Sequence, residues 1–438
     1  MAASGVAISL FRALRFQTPD AEALRKITHS GWESILSNWQ MARILVSFGR
    51  DYGGLPDWVR ARIDQYLFDT ALRFERIKAT YSIAAKALAE VKVDHVVVKG
   101  FSLFPGYAEH PKFRPSGDID LYCLPKSILR AQQALAELGY VPNRHQGHLP
   151  VDHLATMMPK ASWTSSANIF DPDMPIGFEL HFCLWNESTM RFRPVGLEQF
   201  WNRRIERKVD DLSFFALHLA DNLAYTALNT LRDLLLGSPS PDQVYGLGRF
   251  VHTHADNRPF WKEWLELHHP SLRRLEAISF RLAADWFDCK LPEEVEEEVD
   301  HFPVTVCAWF RELSMSALCP SFGQTKNGIW LHPLLLRSFK DRIYVLRKGL
   351  FFRGVPASRE EAQSLPRATR PWSKVLRCFR QLISYLAWFV SRSAMRLAKF
   401  PSFFLHGLRI WLSAINITGK PSRSFQPRVS EQVSRHEA

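Results

Sequence analysis

The chain has 438 residues, of which 46% are hydrophobic and 23% charged, as in ordinary globular proteins with room for two or three compact units. Its formal net charge is +12, yet 12 of its 56 basic residues lie in the segment 362–430, where no acidic residue occurs. The remaining 44 basic residues equal the 44 acidic ones, so the positive excess belongs to this segment and says little about a binding site elsewhere.

Targeting signals and cysteine spacing both indicate the cytoplasm. Residues 1–16 include a short apolar patch, but no basic segment precedes it and no clear cleavage site follows. The six cysteines show neither C-x-x-C pairs nor a framework spacing, which excludes a disulfide scaffold and indicates reduced thiols. We therefore predict a cytoplasmic protein.

Residues 1–90 are predicted to form a helical region. Apolar residues recur at intervals of three and four over 21–29, 32–48 and 58–90, and glycine and proline separate the last two stretches. One face of the last predicted helix carries an apolar stripe, which we interpret as core packing rather than as a binding surface. The stripe consists of Leu67, Ala71, Phe74, Ile77, Tyr81 and Ala84.

Residues 91–190 are predicted to form an α/β core that begins with a buried strand. The β-branched run at 96–98 favours a strand, and Lys99 and Gly100 end it. Gly100 allows the backbone to turn sharply there or to approach a ligand closely. A helix is then predicted from Lys126 onward, ending before a glycine.

The sequence G-D-I-D-L-Y at 117–122 alternates carboxylates with apolar residues. On a strand, Asp118 and Asp120 would share one face, where like charges repel unless a cation such as Mg²⁺ lies between them. A second alternating run puts Glu179 and His181 on one face. If the two strands pair, three carboxylates converge on a metal-sized space, the layout that two-metal nucleotidyl transfer needs.

These motifs together resemble a known family. The pair Lys99-Gly100, the run R-P-S-G-D-I-D-L at 114–121, the L-G-Y at 138–140 and the F-E-L-H at 178–181 carry the resemblance. They are similar to the bacterial uncharacterised nucleotidyltransferase family, which belongs to the polymerase-beta-like nucleotidyltransferase superfamily. The similarity is clear over residues 86–190.

The resemblance implies an α+β fold, with a small mixed nucleotidyltransferase-type sheet flanked by N- and C-terminal helical regions. It implies a metal-dependent enzyme that transfers NMP from an NTP to an acceptor hydroxyl by a two-metal mechanism and releases pyrophosphate. Asp118, Asp120 and Glu179 would be the catalytic residues and would bind two Mg²⁺ ions. The residues expected to hold the nucleotide or orient the site are Lys99, Gly100, Ser102, Arg114 and His181.

Three histidines of the core, His145, His148 and His153, could suggest a zinc site, which we do not favour. Their spacing differs from the helical H-E-x-x-H pattern, and Pro150 would interrupt a helix. The alternative is that His148 or His153 lines the acceptor pocket as a proton acceptor.

Residues 191–345 are predicted to be a helical domain that walls the cleft, with one long helix over 212–236 closed by Gly237. Residues 346–438 form a basic amphipathic tail. Its segment 366–417 either contacts an anionic membrane surface or packs on the body, because no run in it is long enough to span a bilayer. Nucleic acid is not expected as a partner, since arginines and aromatic residues alternate there as on a helix.

A second hypothesis stays open from the sequence. The protein could be a catalytically silent nucleotide-binding or scaffold protein, attached by its basic tail to a membrane surface or to an acidic partner. The acceptor and the base of the NTP are not predictable, because the sequence contains no recognisable base-reading motif.

Overall fold

The computed structural model describes residues 2–48, 54–108, 110–143, 152–160, 168, 170–315 and 327–351. Over these residues the protein is α+β, with helices at both ends of the described chain and a mixed seven-stranded sheet between them, which confirms the predicted fold class. The helices are α1 Ala2–Ala13, α2 Glu22–Arg25, α3 His29–Ser37, α4 Trp39–Phe48, α5 Asp57–Glu90, α6 Ile128–Glu137, α7 Glu187–Met190, α8 Leu219–Leu235, α9 Pro241–His254, α10 Arg258–Leu267, α11 Pro270–Phe287, α12 Glu293–Asp300, α13 Val304–Leu313, α14 Leu331–Leu334 and α15 Phe339–Phe351.

The sheet places the two carboxylate-bearing strands side by side at its centre. Its strands are β1 Val96–Val98, β2 Asp118–Tyr122, β3 Tyr140–Pro142, β4 Met157–Pro159, β5 Gly177–His181, β6 Ile205–Val209 and β7 Leu212–Ala216. Their order across the sheet is β3-β4-β5-β2-β1-β7-β6. Strand β2 is antiparallel to β1 and parallel to β5, while β1 is parallel to β7.

One face of these central strands packs into an apolar core. Ile119 and Leu121 of β2, with Phe178 and Leu180 of β5, are buried there against α5 and α6. Each such side chain stabilises the fold by about 1.5–3 kcal/mol on burial. From α5 this core takes the predicted stripe residues Phe74, Ile77, Tyr81 and Ala84.

The other face of the sheet is turned toward a second and larger core. Val96 and Val98 of β1 belong to it, whereas Val97 between them belongs to the first core, as alternation along a strand requires. Helices that precede the first strand in the sequence, such as α4, and helices that follow the last strand, such as α8 and α9, contribute to this second core. The polar side chains of β2 and β5 therefore face helices rather than bulk solvent.

The structure corrects the prediction for the residues that follow position 190. Strands β6 and β7 extend the sheet beside β1, although only helix was expected within 191–345. The predicted helix over 212–236 begins as strand β7, and helix α8 starts only at Leu219. Burial alternates along β7, with Phe214 buried and Phe215 47% exposed, so its period is that of a strand.

Some predictions concern residues outside the described part of the chain. His145, His148 and the segment 366–417 all lie there, so the acceptor-pocket role of His148 and the membrane contact stay predictions. The division into domains at 90, 190 and 345 also stays a prediction. In the described ranges, no helix is long and apolar enough to cross a membrane.

Candidate active site

The pairing of β2 with β5 brings the predicted carboxylates together. In this parallel register Asp120 lies opposite Glu179, and Tyr122 lies opposite His181. Neighbouring strands are about 4.8 Å apart, and side chains alternate between faces. Asp118 and Asp120 therefore lie on the same face as Glu179 and His181, as the sequence predicted.

Asp120 is the centre of a compact polar cluster. Its side chain is 4% exposed, and its Oδ1 atom accepts hydrogen bonds from Lys99 Nζ at 2.7 Å and from His181 Nε2 at 2.8 Å. The Glu179 Oε2 atom lies 3.8 Å from Lys99 Nζ and 3.7 Å from His181 Nε2. The Lys99 ammonium and the His181 ring thus each lie within 4 Å of both carboxylates.

Burial and mutual repulsion act on the carboxylates of the cluster. Burial alone would raise the pKa of Asp120, but Lys99 and the hydrogen bond from His181 outweigh it and hold that pKa well below its usual range. Burial, and then the charge of Asp120, raise the pKa of Asp118 to about 6 and that of Glu179 to about 7. The three carboxylates are not all ionised easily without a further cation.

The donor set fits a divalent metal ion. One ligand atom each from Asp120, Glu179 and His181 lies within 4.8 Å of the others, close enough to share one ion. Carboxylate oxygens suit Mg²⁺, and a bound cation would favour the ionised forms of Asp118 and Glu179, whose pKa values burial and the charge of Asp120 raise. Asp118 lies on the rim of this group, in the pocket described below, and its metal role stays a prediction.

The turn after β1 directs Lys99 into this cluster. Lys99 has φ +57° and ψ −157°, and Gly100 has φ +47°. Side-chain-bearing residues rarely adopt such a backbone conformation, which costs about 1–3 kcal/mol and is found mostly at functional sites. The sharp turn expected at Gly100 is present, and its neighbour Lys99 carries the strain.

Ser102 supports this turn and does not reach the pocket. Its side chain is 1% exposed, and its hydroxyl donates to the Lys99 carbonyl at 2.7 Å. Its own carbonyl accepts from Arg207 at 2.7 Å and from Asn222 at 3.0 Å. These contacts give Ser102 a positioning role, unlike the nucleotide contact expected from the sequence.

A pocket of about 210 Å³ opens beside the cluster, between the sheet and helices α4, α8 and α9. Four basic and three acidic side chains line it, together with polar residues and small apolar ones. The charged lining residues are Arg43, Lys99, Arg114, Arg232, Asp118, Asp120 and Asp242. The predicted residues Lys99, Gly100 and Arg114 all lie here, whereas Arg43, Arg232 and Asp242 were not predicted.

The sequence analysis also did not predict the charged residues near the Nδ1 atom of His181. Asp152 Oδ2 accepts from Arg232 Nη1 at 2.8 Å and lies 3.7 Å from His181 Nδ1. Arg232 follows Thr226 and Asn229 at intervals of three residues along α8, and all three line the pocket. This polar stripe in an apolar helix was the signal that could have found Arg232.

His153, which the sequence analysis gave as a possible residue of the acceptor pocket, lies at the edge of the cluster. Its Nδ1 atom is 2.7 Å from the Leu154 carbonyl and must donate to it, which leaves the lone pair of a neutral ring on Nε2. That Nε2 atom lies 3.9 Å from Glu179 Oε2. Residue 153 also forms an isolated antiparallel bridge to residue 181.

Arg73 of α5 contacts the residues that immediately precede β2 and β5, the two carboxylate-bearing strands. Its side chain is 3% exposed and donates to the carbonyls of Ser116 and Gly117, each at 2.7 Å. It also donates to the carbonyl of Met174 at 2.6 Å and to that of Pro175 at 3.4 Å. One guanidinium therefore ties the residues before β2 to the residues before β5.

Comparison with known proteins places the chain in a family. A model of the family described as "Uncharacterised nucleotidyltransferase" matches residues 41–288, which is more than half of the chain. The match begins in α4 and ends after α11, so it includes the sheet and the helices that wall the pocket. No curated protein and no solved structure matches the chain. The chain therefore belongs to the uncharacterised nucleotidyltransferase family, whose name supports nucleotidyl transfer as its general activity.

Proposed function

We propose that the protein transfers NMP from an NTP to an acceptor hydroxyl and releases pyrophosphate. The observation that carries the proposal is the register of β2 and β5, which sets Asp120 opposite Glu179 with Asp118 on the same face. Asp120, Glu179 and His181 form a compact cluster, with Asp118 at its rim, beside a pocket with four basic side chains, and this combination supports the binding of a metal-bound triphosphate.

Each residue has a distinct role in this proposal. Asp118, Asp120 and Glu179 would hold two Mg²⁺ ions, which when bound would lower the pKa of the attacking hydroxyl and neutralise charge on the leaving pyrophosphate. Arg114, in the wall of the pocket, would hold phosphate oxygens through its planar fork of N–H donors. The N–H of Gly100 and the ammonium of Lys99 would approach the same oxygens from the turn after β1.

One observation favours the alternative, a catalytically silent nucleotide-binding or scaffold protein. The Lys99 ammonium lies 2.7 Å from Asp120 Oδ1 and 3.8 Å from Glu179 Oε2, in the space that a cation would need. An active enzyme must move this side chain toward the phosphates. A silent protein would keep it in place and would bind nucleotide without turnover.

Thermal stabilisation by each of the four NTPs with Mg²⁺ tests the donor site without knowledge of the acceptor. A ligand at about 100 times its dissociation constant should add about 2.7 kcal/mol to the native state. We expect a Mg²⁺-dependent rise in melting temperature that Asp118→Asn/Asp120→Asn removes. The matched control is Asp173→Asn/Asp211→Asn, because these two carboxylates are 87% and 90% exposed.

The outcomes separate the hypotheses. A folded native protein that no NTP stabilises would refute the donor site as proposed. Stabilisation that survives in Asp118→Asn/Asp120→Asn would move the nucleotide away from these carboxylates. Stabilisation without pyrophosphate release, when candidate acceptors bearing hydroxyl groups are added, would favour the silent protein. The cytoplasmic location and the membrane contact of 366–417 are independent of this test and stay proposals.

A further inference from the structure

The basic side chains of the pocket differ in how far their charge is already neutralised. Lys99 has Asp120 as its close partner, with the two charged atoms 2.7 Å apart. Arg232 has two carboxylate partners, Asp152 at 2.8 Å and Asp233 at 3.2 Å. The charges of Lys99 and Arg232 are therefore already neutralised by neighbouring carboxylates.

Arg114 and Arg43 are different. Among the described residues, no carboxylate lies within ion-pair distance of the Arg114 guanidinium, although it is half-buried in the pocket wall. Burial, and then the positive charge of Arg43, lower the pKa of Arg114 to about 10. In the described part of the chain, Arg43 has one carboxylate within ion-pair distance, Asp242, at 3.2 Å. The two guanidinium groups repel each other, and the nearby carboxylates Asp242 and Asp120 offset that repulsion only in part, because the pKa of Arg114 is still lowered.

The unpredicted partner, Arg43, is held firmly in place. Asp242 is 8% exposed and accepts a hydrogen bond from the Ser240 hydroxyl at 2.5 Å, which orients its carboxylate. The guanidinium carbon of Arg43 lies 5.3 Å from the centre of the Trp39 ring, one helical turn earlier on α4. These two contacts hold Arg43 at the pocket wall.

We propose that Arg43 and Arg114 together bind the pyrophosphate portion of the nucleotide donor, so that helix α4 contributes directly to the active site. Two guanidinium groups in one pocket wall, with a single ion pair of 3.2 Å between Arg43 and Asp242, favour an anion with several negative charges, and planar forks suit phosphate oxygens. The same pocket contains Asp118 and Asp120, where the α-phosphate would lie. The choice of a polyphosphate over other anions rests on the proposed function.

Inorganic pyrophosphate and orthophosphate are probes that need neither a base nor a metal. We would measure their affinity by calorimetry, in EDTA, for the full chain and for Arg43→Gln and Arg114→Gln. Hydrogen bonds to charged groups are worth about 1.5–3 kcal/mol, so each substitution should weaken pyrophosphate binding about tenfold to a hundredfold. Arg60→Gln is the control, because Arg60 is exposed and lies outside the pocket.

Arg43→Lys protects the test against misfolding. It keeps a positive charge beside the buried Asp242 but loses the planar fork, so we expect a native melting temperature with weaker pyrophosphate binding. Pyrophosphate must also bind more tightly than orthophosphate, since two cations are available to it.

Two results would overturn the proposal. One is a folded native protein that does not bind pyrophosphate in EDTA. The other is an affinity that Arg114→Gln and Arg43→Lys leave as unchanged as Arg60→Gln does. Because the nucleotidyl-transfer test depends on Mg²⁺ and on Asp118 and Asp120, and this one does not, either proposal can fail while the other stands.

Discussion

Arg73 offers a strong test of how the candidate site is held together. Its guanidinium makes three hydrogen bonds of 2.6–2.7 Å to the carbonyls that precede β2 and β5. In Arg73→Gln the carbonyls of Ser116, Gly117 and Met174, which belong to partly buried residues, lose a charged donor. A hydrogen bond from a charged group contributes about 1.5–3 kcal/mol, and relief from burying the charge offsets part of that.

We therefore expect Arg73→Gln to lower the free energy of unfolding by about 3–5 kcal/mol in urea or guanidinium titrations. Arg76 is the matched control, since it lies one turn further along α5 with its side chain 42% exposed. It contacts the neighbouring loop at the Pro172 carbonyl and near Asp173. An exposed pair of this kind is worth about 0–1 kcal/mol, so Arg76→Gln should change stability by no more than that.

The same substitution has a second expected consequence, at the site itself. If the guanidinium sets the relative position of β2 and β5, Arg73→Gln should also weaken Mg²⁺-dependent NTP stabilisation under conditions where the protein remains folded. Arg73→Lys, which keeps the charge but has fewer donors in fixed directions, should lie between the native protein and Arg73→Gln. Equal stability of Arg73→Gln and Arg76→Gln would refute this account of how the strands are fixed.

Three further predictions address other residues. His268 is fully buried, and although burial lowers its pKa, Glu276 and Asp221 raise it to about 9. The contribution of its charged form to the free energy of unfolding should therefore be fully present below pH 6.5 and be lost, by about 3 kcal/mol, as pH rises through 9. In urea titrations His268→Gln should not show this loss. Lys99→Met should lower the melting temperature in EDTA and make the rise on adding Mg²⁺ larger than in the native protein; an equal rise would mean that the ammonium does not lie where the cation binds. Ser102→Ala should cost about 1–2 kcal/mol of stability yet leave NTP affinity unchanged, whereas a nucleotide ligand would give the reverse in melting and binding assays.

The His268 prediction depends on every charged group around that ring. Asp221 of α8 and Glu276 of α11 lie 3.1 Å and 2.9 Å from its two nitrogens. Arg203 pairs with Asp221 at 2.6 Å, and Arg273 donates to the His268 carbonyl at 3.1 Å. The two carboxylates outweigh these cations, which is why the imidazolium is favoured in the folded state.

The placement of the candidate carboxylates on one face was predictable because its signal is local. The alternation of G-D-I-D-L-Y and F-E-L-H fixes which side chains share a face, and a buried sheet fixes which face is apolar. Only the pairing of β2 with β5 had to be assumed, and the family resemblance supported it. Strand β7 was mistaken for helix because L-S-F-F-A is apolar enough for either, and only its neighbours in the sheet decide.

The supporting residues could not be predicted, because their partners are remote in sequence. Arg73 donates across 43 and 101 residues, and Arg232 reaches Asp152 across 80. The polar stripe on α8 indicates Arg232 itself, but no periodicity within one segment identifies a partner in another segment, such as Asp152. Ser102 was expected to help hold the nucleotide or orient the site, and its hydroxyl donates to the Lys99 carbonyl, a contact that the sequence motif does not reveal.

The carboxylates of the sheet and the basic residues of the surrounding helices come from different parts of the chain, which decides how much of the chain an active fragment needs. The sheet and its loops supply the carboxylates and Arg114, while Arg43, the other arginine proposed to bind the pyrophosphate, comes from α4 outside the segment 91–190. A fragment limited to residues 91–190 would keep the acidic cluster, Lys99 and Arg114 but lose Arg43. Such a fragment should bind nucleotides more weakly than the full chain, because it loses one of the two proposed phosphate-binding arginines and keeps the carboxylates that attract the metal.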